Sequence, residues 1–238
     1  HFYRQIYHLE EYYWWYRSRR ALVKQFLPSH RPLKILDVGC GTGKLIEELQ
    51  DYGQVHGIDS SPQAIKFCRR RHLQRIYQDK FPHLKHLRQK RFDVILCLDV
   101  LEHIAADDQA IRKVSQLLAP HGRLILTVPA YPWFFSYWDT MSGHHRRYSP
   151  EQLIQLLIHA GLKPTKITYL YSFLLPIARP FRLVRHKLFK RNSPQSDLIK
   201  LASPANFLLF VLATIERILL SYFNLPFGLS LVCIAQKK

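Results

Sequence analysis

The sequence predicts an α/β fold, a single domain in which a mostly parallel sheet is covered by helices on both faces. Short apolar runs rich in Val, Ile and Leu alternate with helix-length stretches that carry polar faces, and this alternation is typical of a buried parallel sheet. The chain has 238 residues, 47% of them hydrophobic, which is enough for one sizeable domain with a full core. A glycine-rich turn after the first apolar run indicates a ligand-binding edge.

The predicted elements follow in chain order. Residues 1–30 carry large side chains at helical spacing up to Pro28, which predicts one or two helices ahead of the core. Five strands come next, most of them separated by helices, and a further pair completes a sheet of seven. The predicted strands are LKILDVG (33–39), QVHGID (54–59), RIYQ (75–78), FDVILCLD (92–99), GRLILTVP (122–129), KPTKITYLYSF (163–173) and LSLVCIAQKK (229–238).

Residues 174–228, between the last two predicted strands, are too long for an ordinary loop and are predicted to form a helical insertion. The first half contains the basic stretch RPFRLVRHKLFKR, and the second half contains the apolar stretch PANFLLFVLATIERILLSYF. The apolar stretch approaches the ~20 residues of a membrane span, but Glu216 and Arg217 lie inside it and a strand must still return to the sheet. An interfacial helix, or a hydrophobic lid over the active site, is the better interpretation.

The charge balance points to an anionic partner. The chain contains 35 Lys and Arg residues against 17 Asp and Glu, a formal net charge of +18. An anionic membrane face is favoured over nucleic acid, because the basic stretch adjoins a long aliphatic helix that RNA or DNA would not use. A phosphorylated or carboxylated substrate is a further alternative, and the apolar helix could equally build a homo-oligomer.

The cysteines and the start of the chain bear on location. Cys40, Cys68, Cys97 and Cys233 form no CxxC pair and three of them lie in apolar runs, which indicates reduced thiols in a core. No signal-peptide pattern opens the chain as given. We therefore expect a cytoplasmic protein, peripheral at the inner face of the membrane where the insertion meets lipid.

The strongest local signal is ILDVGCGTGKL at residues 35–45, in which a strand runs into a glycine-rich turn and then a helix. Gly39, Gly41 and Gly43 lack Cβ atoms, so a ligand can lie against the backbone near the helix N-terminus. The GxGxG spacing differs from the dinucleotide fingerprint and from the phosphate-binding loop. Asp59 ends the next strand, where a carboxylate can accept both ribose hydroxyls of a nucleoside. The pattern predicts a ribose-bearing cofactor.

Four stretches in a fixed order carry a family resemblance. LDVGCGTG, followed by GIDSSPQAI, FDVILCLDVLEHI and LLAPHGRLILTVP, resembles the class I S-adenosylmethionine-dependent methyltransferases over roughly residues 33–128. The resemblance implies their Rossmann-like seven-stranded fold, S-adenosylmethionine as the cofactor and S-adenosylhomocysteine as its product. A nicotinamide-binding Rossmann domain, or a domain that kept the fold and lost the ligand, is the alternative.

The same resemblance implies the cofactor contacts. Asp37 and the glycine turn would cradle the methionine end, and Asp59 would hold the ribose. Asp79 would lie near the adenine amino group, with Phe81 against the ring. The predicted cofactor-binding residues are Asp37, Gly39, Cys40, Gly41, Gly43, Asp59, Ser60, Asp79, Lys80, Phe81 and Leu98.

The stretch LDVLEHI, at the end of the fourth predicted strand, places Asp99, Glu102 and His103 at i, i+3 and i+4. If a helical turn begins there, the three side chains share one face and could offer two oxygens and a nitrogen to a divalent ion. The ubiquinone-type O-methyltransferases have a similar acidic-x-x-Glu-His arrangement that is implicated in metal binding. The alternative is a Glu-His pair that lines the pocket without a metal, as in many methyltransferases of this class.

The loop after the fifth predicted strand contains DTMSGHHRRYSPEQL at residues 139–153. In an open α/β sheet such a loop faces the ligand crevice, so residues 131–148 are predicted to lie over the transferable methyl group behind an apolar wall of aromatic side chains. A histidine would act as the base and the arginines would clamp a carboxylate or phosphate. The predicted acceptor-site residues are His144, His145, Arg146, Arg147 and Tyr148.

A structural interpretation competes with this acceptor site. The arginines could pair with Asp139 or Glu151, and Ser149 followed by Pro150 is typical of a helix N-cap. In the first segment, the aromatic and basic side chains could form a lid over the cofactor or merely pack the helix onto the sheet. These side chains are Trp14, Trp15, Arg19 and Arg20.

The loop and the N-terminal stretch EEYYWWYRSRR are also similar to a narrower group of bacterial methyltransferases, which have a GHxRRY loop and are often met in glycan and lipid-linked sugar assembly. The sequence therefore predicts O-methylation of a small or lipophilic anionic acceptor, free or lipid-linked, near a membrane surface. The alternatives are methylation of RNA or DNA and a non-catalytic cofactor-binding or scaffold protein.

Overall fold

The computed structural model describes residues 2–30, 32–87, 90–176 and 201–237. The basic stretch at 179–191, part of the predicted insertion, therefore lies outside the described residues. The helices are α1 (Phe2–Leu9), α2 (Trp14–Phe26), α3 (Lys44–Leu49), α4 (Pro62–Arg70), α5 (Asp107–Leu117), α6 (Tyr137–Met141), α7 (Pro150–His159) and α8 (Ser203–Leu219). The strands are β1 (Leu33–Val38), β2 (Gly53–Asp59), β3 (Ile76–Gln78), β4 (Phe92–Leu98), β5 (Leu118–Pro129), β6 (Leu162–Leu170) and β7 (Ser230–Lys237).

The seven strands form one sheet in the order β3-β2-β1-β4-β5-β7-β6. Strands β1 to β5 pair in parallel, whereas β7 runs antiparallel between β5 and β6. The prediction of a seven-stranded, mostly parallel Rossmann-like sheet is confirmed. Because the chain turns to one side after β1 and reaches β4 on the other side, a crevice opens beyond the carboxyl ends of these strands, where such sheets bind ligands.

Each face of the sheet has its own hydrophobic core. On one face, α5 and α7 pack through fully buried side chains such as Ile111 and Leu153. On the other face, α2, α3 and α8 contribute Leu22, Leu49 and Ala213. All four cysteines are free and buried, as the sequence predicted for core thiols.

Helix α7 begins where the local sequence predicted a cap. The Ser149 hydroxyl accepts from the backbone N–H of Gln152 while the Gln152 side chain accepts from the Ser149 N–H, and Pro150 occupies the first turn. The cap ends the loop that follows β5, and therefore fixes where the predicted acceptor segment rejoins the scaffold.

Helix α8 is attached to α2 and to the end of β6 by polar contacts. Glu216 is buried, and its carboxylate accepts from the Tyr171 N–H, from the Ser172 N–H at 2.8 Å and from the Ser172 hydroxyl at 2.5 Å. Asn206 accepts from the backbone N–H of Trp14 at 2.9 Å. The acid that interrupts the apolar stretch thus fastens the helix to the domain. Among the described residues, none of the helices combines the length and the hydrophobicity needed to span a bilayer.

Candidate active site

The glycine turn joins β1 to α3 in a conformation that side chains rarely adopt. Gly39, Gly41 and Gly43 have φ angles of 73°, 56° and 85°. A Cβ atom on Gly39 would lie 2.4 Å from a methyl group of Val100, so the turn also depends on close packing against the end of β4. The backbone is therefore open to a ligand beside the start of α3.

Asp59 fastens this turn to the end of β2. Its carboxylate accepts from the Gly41 N–H at 2.9 Å and from the Ser61 N–H at 2.8 Å. Burial raises the pKa of Asp59 even though these backbone donors favour the ionised form. The side chain predicted to hold a ribose thus lies against the glycine turn, as a nucleoside site in this crevice requires.

The predicted adenine end lies one strand further along the sheet. The Asp79 N–H donates to the Asp59 carbonyl at 3.1 Å, and the buried Asp79 carboxylate accepts from the Lys85 and His86 backbone. Although burial acts to raise the pKa of Asp79, hydrogen bonds from His86 hold it below its usual range. Of the other predicted contacts, Ser60 and Lys80 are exposed, Phe81 and Leu98 are half-buried and Cys40 is buried.

Four carboxyl groups converge at the carboxyl ends of β1, β2 and β4. Asp37, Asp59 and Glu102 are at most 8% exposed, and Asp99 lies beside them. Burial raises the pKa of Asp37 to about 7, with Asp59 adding to the effect and the guanidinium of Arg19 opposing it. The Arg19 side chain is 3.1 Å from the Asp99 carboxylate and stacks on Trp15. The cleft is therefore locally acidic in a strongly basic chain.

The N-terminal helices cover the glycine turn through contacts that sequence reasoning missed. Glu10 accepts from the Thr42 hydroxyl at 2.5 Å and pairs with the buried Arg71 side chain at 2.8 Å. Trp14 is buried against Tyr171, so packing accounts for this tryptophan. No local pattern marks Glu10 or Arg71, because they lie 61 residues apart and the fold alone brings them together.

The three possible metal ligands predicted after β4, Asp99, Glu102 and His103, do not all lie on one face of a helical turn. Leu101–His103 forms a 3-10 turn that contains Glu102 and His103, but Asp99 precedes it with a φ of 52°. The Asp99 carboxylate instead accepts from the Thr127 hydroxyl at 2.9 Å. The expectation that Asp99 shares a face with the other two is therefore wrong, since the left-handed backbone at Asp99 interrupts the helical spacing.

The third residue beside Glu102 and His103 is His144, from the loop after β5, and not Asp99 as the sequence predicted. One ligating atom each of Glu102, His103 and His144 lie within 4.8 Å of one another. One Glu102 oxygen is buried without a hydrogen-bond partner, and burial, with the nearby Asp99, raises the pKa of Glu102 well above its usual range. An orphaned carboxylate oxygen beside two imidazoles fits the donor set of a divalent transition metal.

Both histidines are oriented through Nδ1. His144 Nδ1 is 3.1 Å from the Asp139 carboxylate, and His103 Nδ1 is 3.2 Å from the Gly143 carbonyl. Although burial acts to raise the pKa of Asp139, hydrogen bonds from His144 and Arg147 hold it well below its usual range. An ionised carboxylate and a carbonyl can only accept, so Nδ1 of each ring is the donor and Nε2 is the nitrogen that these contacts leave uncommitted.

The two arginines of the GHHRRY segment bind this chain's own acceptors. The guanidinium of Arg147, 7% exposed, donates to the Asp139 carboxylate at 2.7 Å and to the Ala130 carbonyl at 3.2 Å. Arg146 pairs with Asp107 at 2.6 Å and also donates to the Ala105 carbonyl. This is the arrangement that the structural interpretation predicts, with Asp139 as one partner and Asp107 in place of Glu151.

The remaining residues of the segment differ in exposure. The Tyr148 hydroxyl donates to Asp107 at 2.9 Å, and burial raises the pKa of this buried tyrosine. His145 is exposed, while its backbone N–H donates to the Glu102 carbonyl. In the preceding aromatic run, Phe134 is buried beneath Arg147, whereas Trp133 is 65% exposed. Of the five predicted acceptor-site residues, His144 alone is both partly accessible and positioned by a buried carboxylate.

Comparisons with known proteins give the family. A family model described as a methyltransferase domain matches residues 10–167. The chain is 34% identical over 100 residues to the ubiquinone biosynthesis O-methyltransferase of Xanthomonas oryzae pv. oryzae (strain PXO99A), a match that covers 40% of this chain and 42% of that protein. The chain thus spans about two fifths of the length of the first curated relatives that it matches.

A longer match is to the protein of the same name from Coxiella burnetii (strain Dugway 5J108-111), with 33% identity over 169 residues, 63% of this chain and 71% of that protein. Among solved structures, a SAM dependent methyltransferase from Archaeoglobus fulgidus has a TM-score of 0.60 at 18% identity, with 93% of this chain and 94% of that chain covered, and shows the shared fold. As the motifs from the glycine turn to β5 predicted, the chain belongs to the methyltransferase domain family, and its fold is the one found in SAM-dependent methyltransferase structures.

Proposed function

We propose that this chain transfers the methyl group of S-adenosylmethionine to a hydroxyl oxygen of a small lipophilic acceptor. The observation that carries the proposal is a group of four carboxyls at the ligand crevice of the sheet, in which Asp37, Asp59 and Glu102 are buried and Asp99 is half-buried. S-adenosylmethionine bears a sulfonium and an ammonium group, and nearby carboxylates favour both cations. A nicotinamide dinucleotide would instead place its anionic pyrophosphate beside these groups.

His144 is the proposed base. As the acceptor oxygen attacks the methyl carbon, the carbon–sulfur bond breaks and S-adenosylhomocysteine leaves, while the hydroxyl proton passes to Nε2 of His144. Burial, together with the neighbouring His144, lowers the pKa of His103. The Asp139 carboxylate would stabilise the imidazolium that forms, and the fold would hold the reactants in line.

The acceptor is expected to be apolar near the reacting oxygen. The loop after β5 is rich in aromatic side chains, of which Tyr131 packs against the core at the end of the sheet and Phe134 is buried. The anionic part of the predicted acceptor has less support, because Arg146 and Arg147 are already paired. The names of the curated relatives, ubiquinone biosynthesis O-methyltransferases, are consistent with oxygen as the nucleophile.

A divalent metal is the alternative use of the same group. Glu102, His103 and His144 would hold the ion, and the ion would lower the pKa of the acceptor hydroxyl by polarising it. Asp139 and the Gly143 carbonyl would then orient the two imidazoles, as partners of metal ligands commonly do.

Location and partners are part of the proposal. We place the protein in the cytoplasm, at the inner face of the membrane, because α8 turns apolar side chains to solvent next to a basic stretch of sequence. The competing functions are methylation of a nucleic acid and a non-catalytic role. A methyl-transfer assay tests the first, and a measurement of cofactor binding tests the second.

The test is transfer of a tritiated methyl group from S-adenosylmethionine to a membrane extract and to total RNA, with the products partitioned between organic solvent and water. Label in the organic phase is expected. Label in RNA would replace the proposed acceptor class, and failure to bind S-adenosylmethionine in calorimetry would refute the enzyme altogether.

Two neighbouring histidines provide a matched pair of variants. His144→Asn is expected to lower the transfer rate by about 10² to 10⁴, the usual contribution of a general base, without weakening cofactor binding. His145→Asn, at the exposed neighbour, is expected to retain most of the rate. Equal losses in the two variants would contradict the assignment of His144 as the base.

A further inference from the structure

One face of α8 and the turn after it is apolar and open to solvent. The inward side of the helix is buried through Ala213 and Glu216, with Leu220 just beyond its end. The outward side carries large apolar side chains at helical spacing, each between 41% and 74% exposed. We define the α8 face as Phe207, Leu208, Ile215, Ile218, Leu219, Tyr222, Phe223 and Phe227.

The α8 face is held firmly in the outward orientation. Glu216 fixes the helix to the Tyr171–Ser172 backbone, and Arg217 donates to the Gln25 side chain on α2 at 2.8 Å. The guanidinium of Arg17 stacks on the ring of Phe210 at 3.9 Å. The charged and polar side chains of the helix therefore point inward to α2 and β6, and the outward side consists of hydrocarbon.

The charge of the sequence indicates the partner of the α8 face. Within residues 203–228, all of which the structure describes, Glu216 is the sole acidic residue, and it is buried. The sequence immediately before α8, residues 177–200, contains seven Lys and Arg residues against one Asp. Two copies of a chain of net charge +18 repel each other overall, which disfavours a second copy as the occupant of the face. An anionic bilayer satisfies both the apolar side chains and the positive charge.

The α8 face also continues into the proposed acceptor loop. The Gly228 N–H, next to Phe227, donates to the Tyr131 hydroxyl at 3.4 Å, and Tyr131 lies 5.2 Å from the ring of Trp133. Trp133 is 65% exposed, and Phe135 and Tyr137 of the same loop are 40% and 43% exposed. Apolar side chains thus lead from α8 to the loop after β5.

We infer that the α8 face docks on an anionic membrane surface and presents the acceptor loop to the bilayer. A lipophilic acceptor then reaches the site directly from the lipid, an extension that rests on the proposed methyl transfer. Docking itself needs only α8 and the charge of the chain.

The experiment is flotation of the full chain with vesicles of phosphatidylcholine alone and of phosphatidylcholine with 30% phosphatidylglycerol. Flotation with the anionic vesicles and a lower bound fraction at high salt are expected. The combined variant Phe207→Ser, Tyr222→Ser, Phe223→Ser is expected to bind the anionic vesicles at least tenfold more weakly with an unchanged melting temperature. The control, Ile158→Ser, changes an exposed apolar side chain on α7, on the other face of the sheet, and is expected to bind normally.

Three outcomes would overturn the inference: equal binding to neutral and anionic vesicles, unchanged binding of the α8 variant, or a dimer in light scattering that the α8 variant converts to a monomer. Binding of S-adenosylmethionine is measured on the same variants without vesicles. If the α8 variant binds S-adenosylmethionine normally but no longer floats, the α8 face serves membrane docking and not cofactor binding. If the native chain floats but does not bind S-adenosylmethionine, the enzyme proposal is contradicted and docking remains supported.

Discussion

Arg147→Met tests whether the arginines of the GHHRRY segment clamp a substrate or stabilise the fold. The native guanidinium donates from Nε to Asp139 Oδ1 at 2.7 Å, and its Nη2 lies 2.7 Å from the same oxygen, in a site where Arg147 is 7% and Asp139 is 2% exposed. Methionine keeps much of the side-chain volume but removes the cation. The Asp139 carboxylate would then be buried with its main counter-ion missing.

The structure sets the size of the effect. Breaking one side of a buried ion pair costs about 3–5 kcal/mol, and for a chain of this length each kcal/mol lowers the melting temperature by about 2–4 °C. We therefore expect Arg147→Met to melt about 10 °C below the native protein. Arg146→Met, at the more exposed pair with Asp107, is expected to lose about 1 kcal/mol or less.

The pH dependence gives a second readout. The pKa of Asp139 is lowered in the folded state, so the stabilisation from its partners is fully present above the unfolded pKa of about 3.9 and is lost as the pH falls through the folded value. The difference in melting temperature between native protein and Arg147→Met, followed by circular dichroism, should shrink below pH 4. A variant that melts with the native protein while its acceptor KM rises tenfold would refute this reasoning and assign Arg147 to a substrate clamp.

Three further predictions concern the cofactor and the metal. Asp59→Ala is expected to weaken S-adenosylmethionine binding by about 10- to 100-fold, the value of one charged hydrogen bond, and calorimetry that gives a native Kd would contradict this. Because the pKa of Asp37 is raised to about 7 and a bound cation favours its ionised form, affinity should rise with pH between 5.5 and 7 and become flat in Asp37→Asn. EDTA is expected to leave transfer intact, since His144 can act as a base without an ion. A loss that Zn²⁺ or Mg²⁺ restores would instead make Glu102, His103 and His144 metal ligands.

Several parts of the fold could be read from short stretches of sequence. The apolar runs placed all seven strands, and β1, β2, β4 and β5 were the clearest because a strand of the parallel part that is buried on both faces has to be hydrophobic on both. Asp59 follows Gly43 by 16 residues and yet lies beside the glycine turn, because β1 and β2 are neighbouring parallel strands. The glycine turn follows the end of β1, and Asp59 is the last residue of β2. The Ser149 cap was predictable because capping bonds join residues three positions apart.

The roles of the charged residues could not be predicted in the same way. The motif Asp99-x-x-Glu102-His103 suggested one helical face, but the left-handed backbone at Asp99 directs its carboxylate to Thr127. His144, 41 residues after His103, completes the group instead. Nothing in the local spacing of either segment indicates this, since the contact depends on how the loop after β5 returns over the end of β4.

The sequence by itself determined the class of fold and the family, because hydrophobic periodicity and glycine conformation act over a few residues. The tertiary structure alone decided that Arg147 binds Asp139, that Asp139 orients His144, and that Glu216 turns inward so that α8 presents an apolar face. A charged side chain that is buried away from water has to pair with a donor or acceptor beside it, and the packing of the chain determines which group that is.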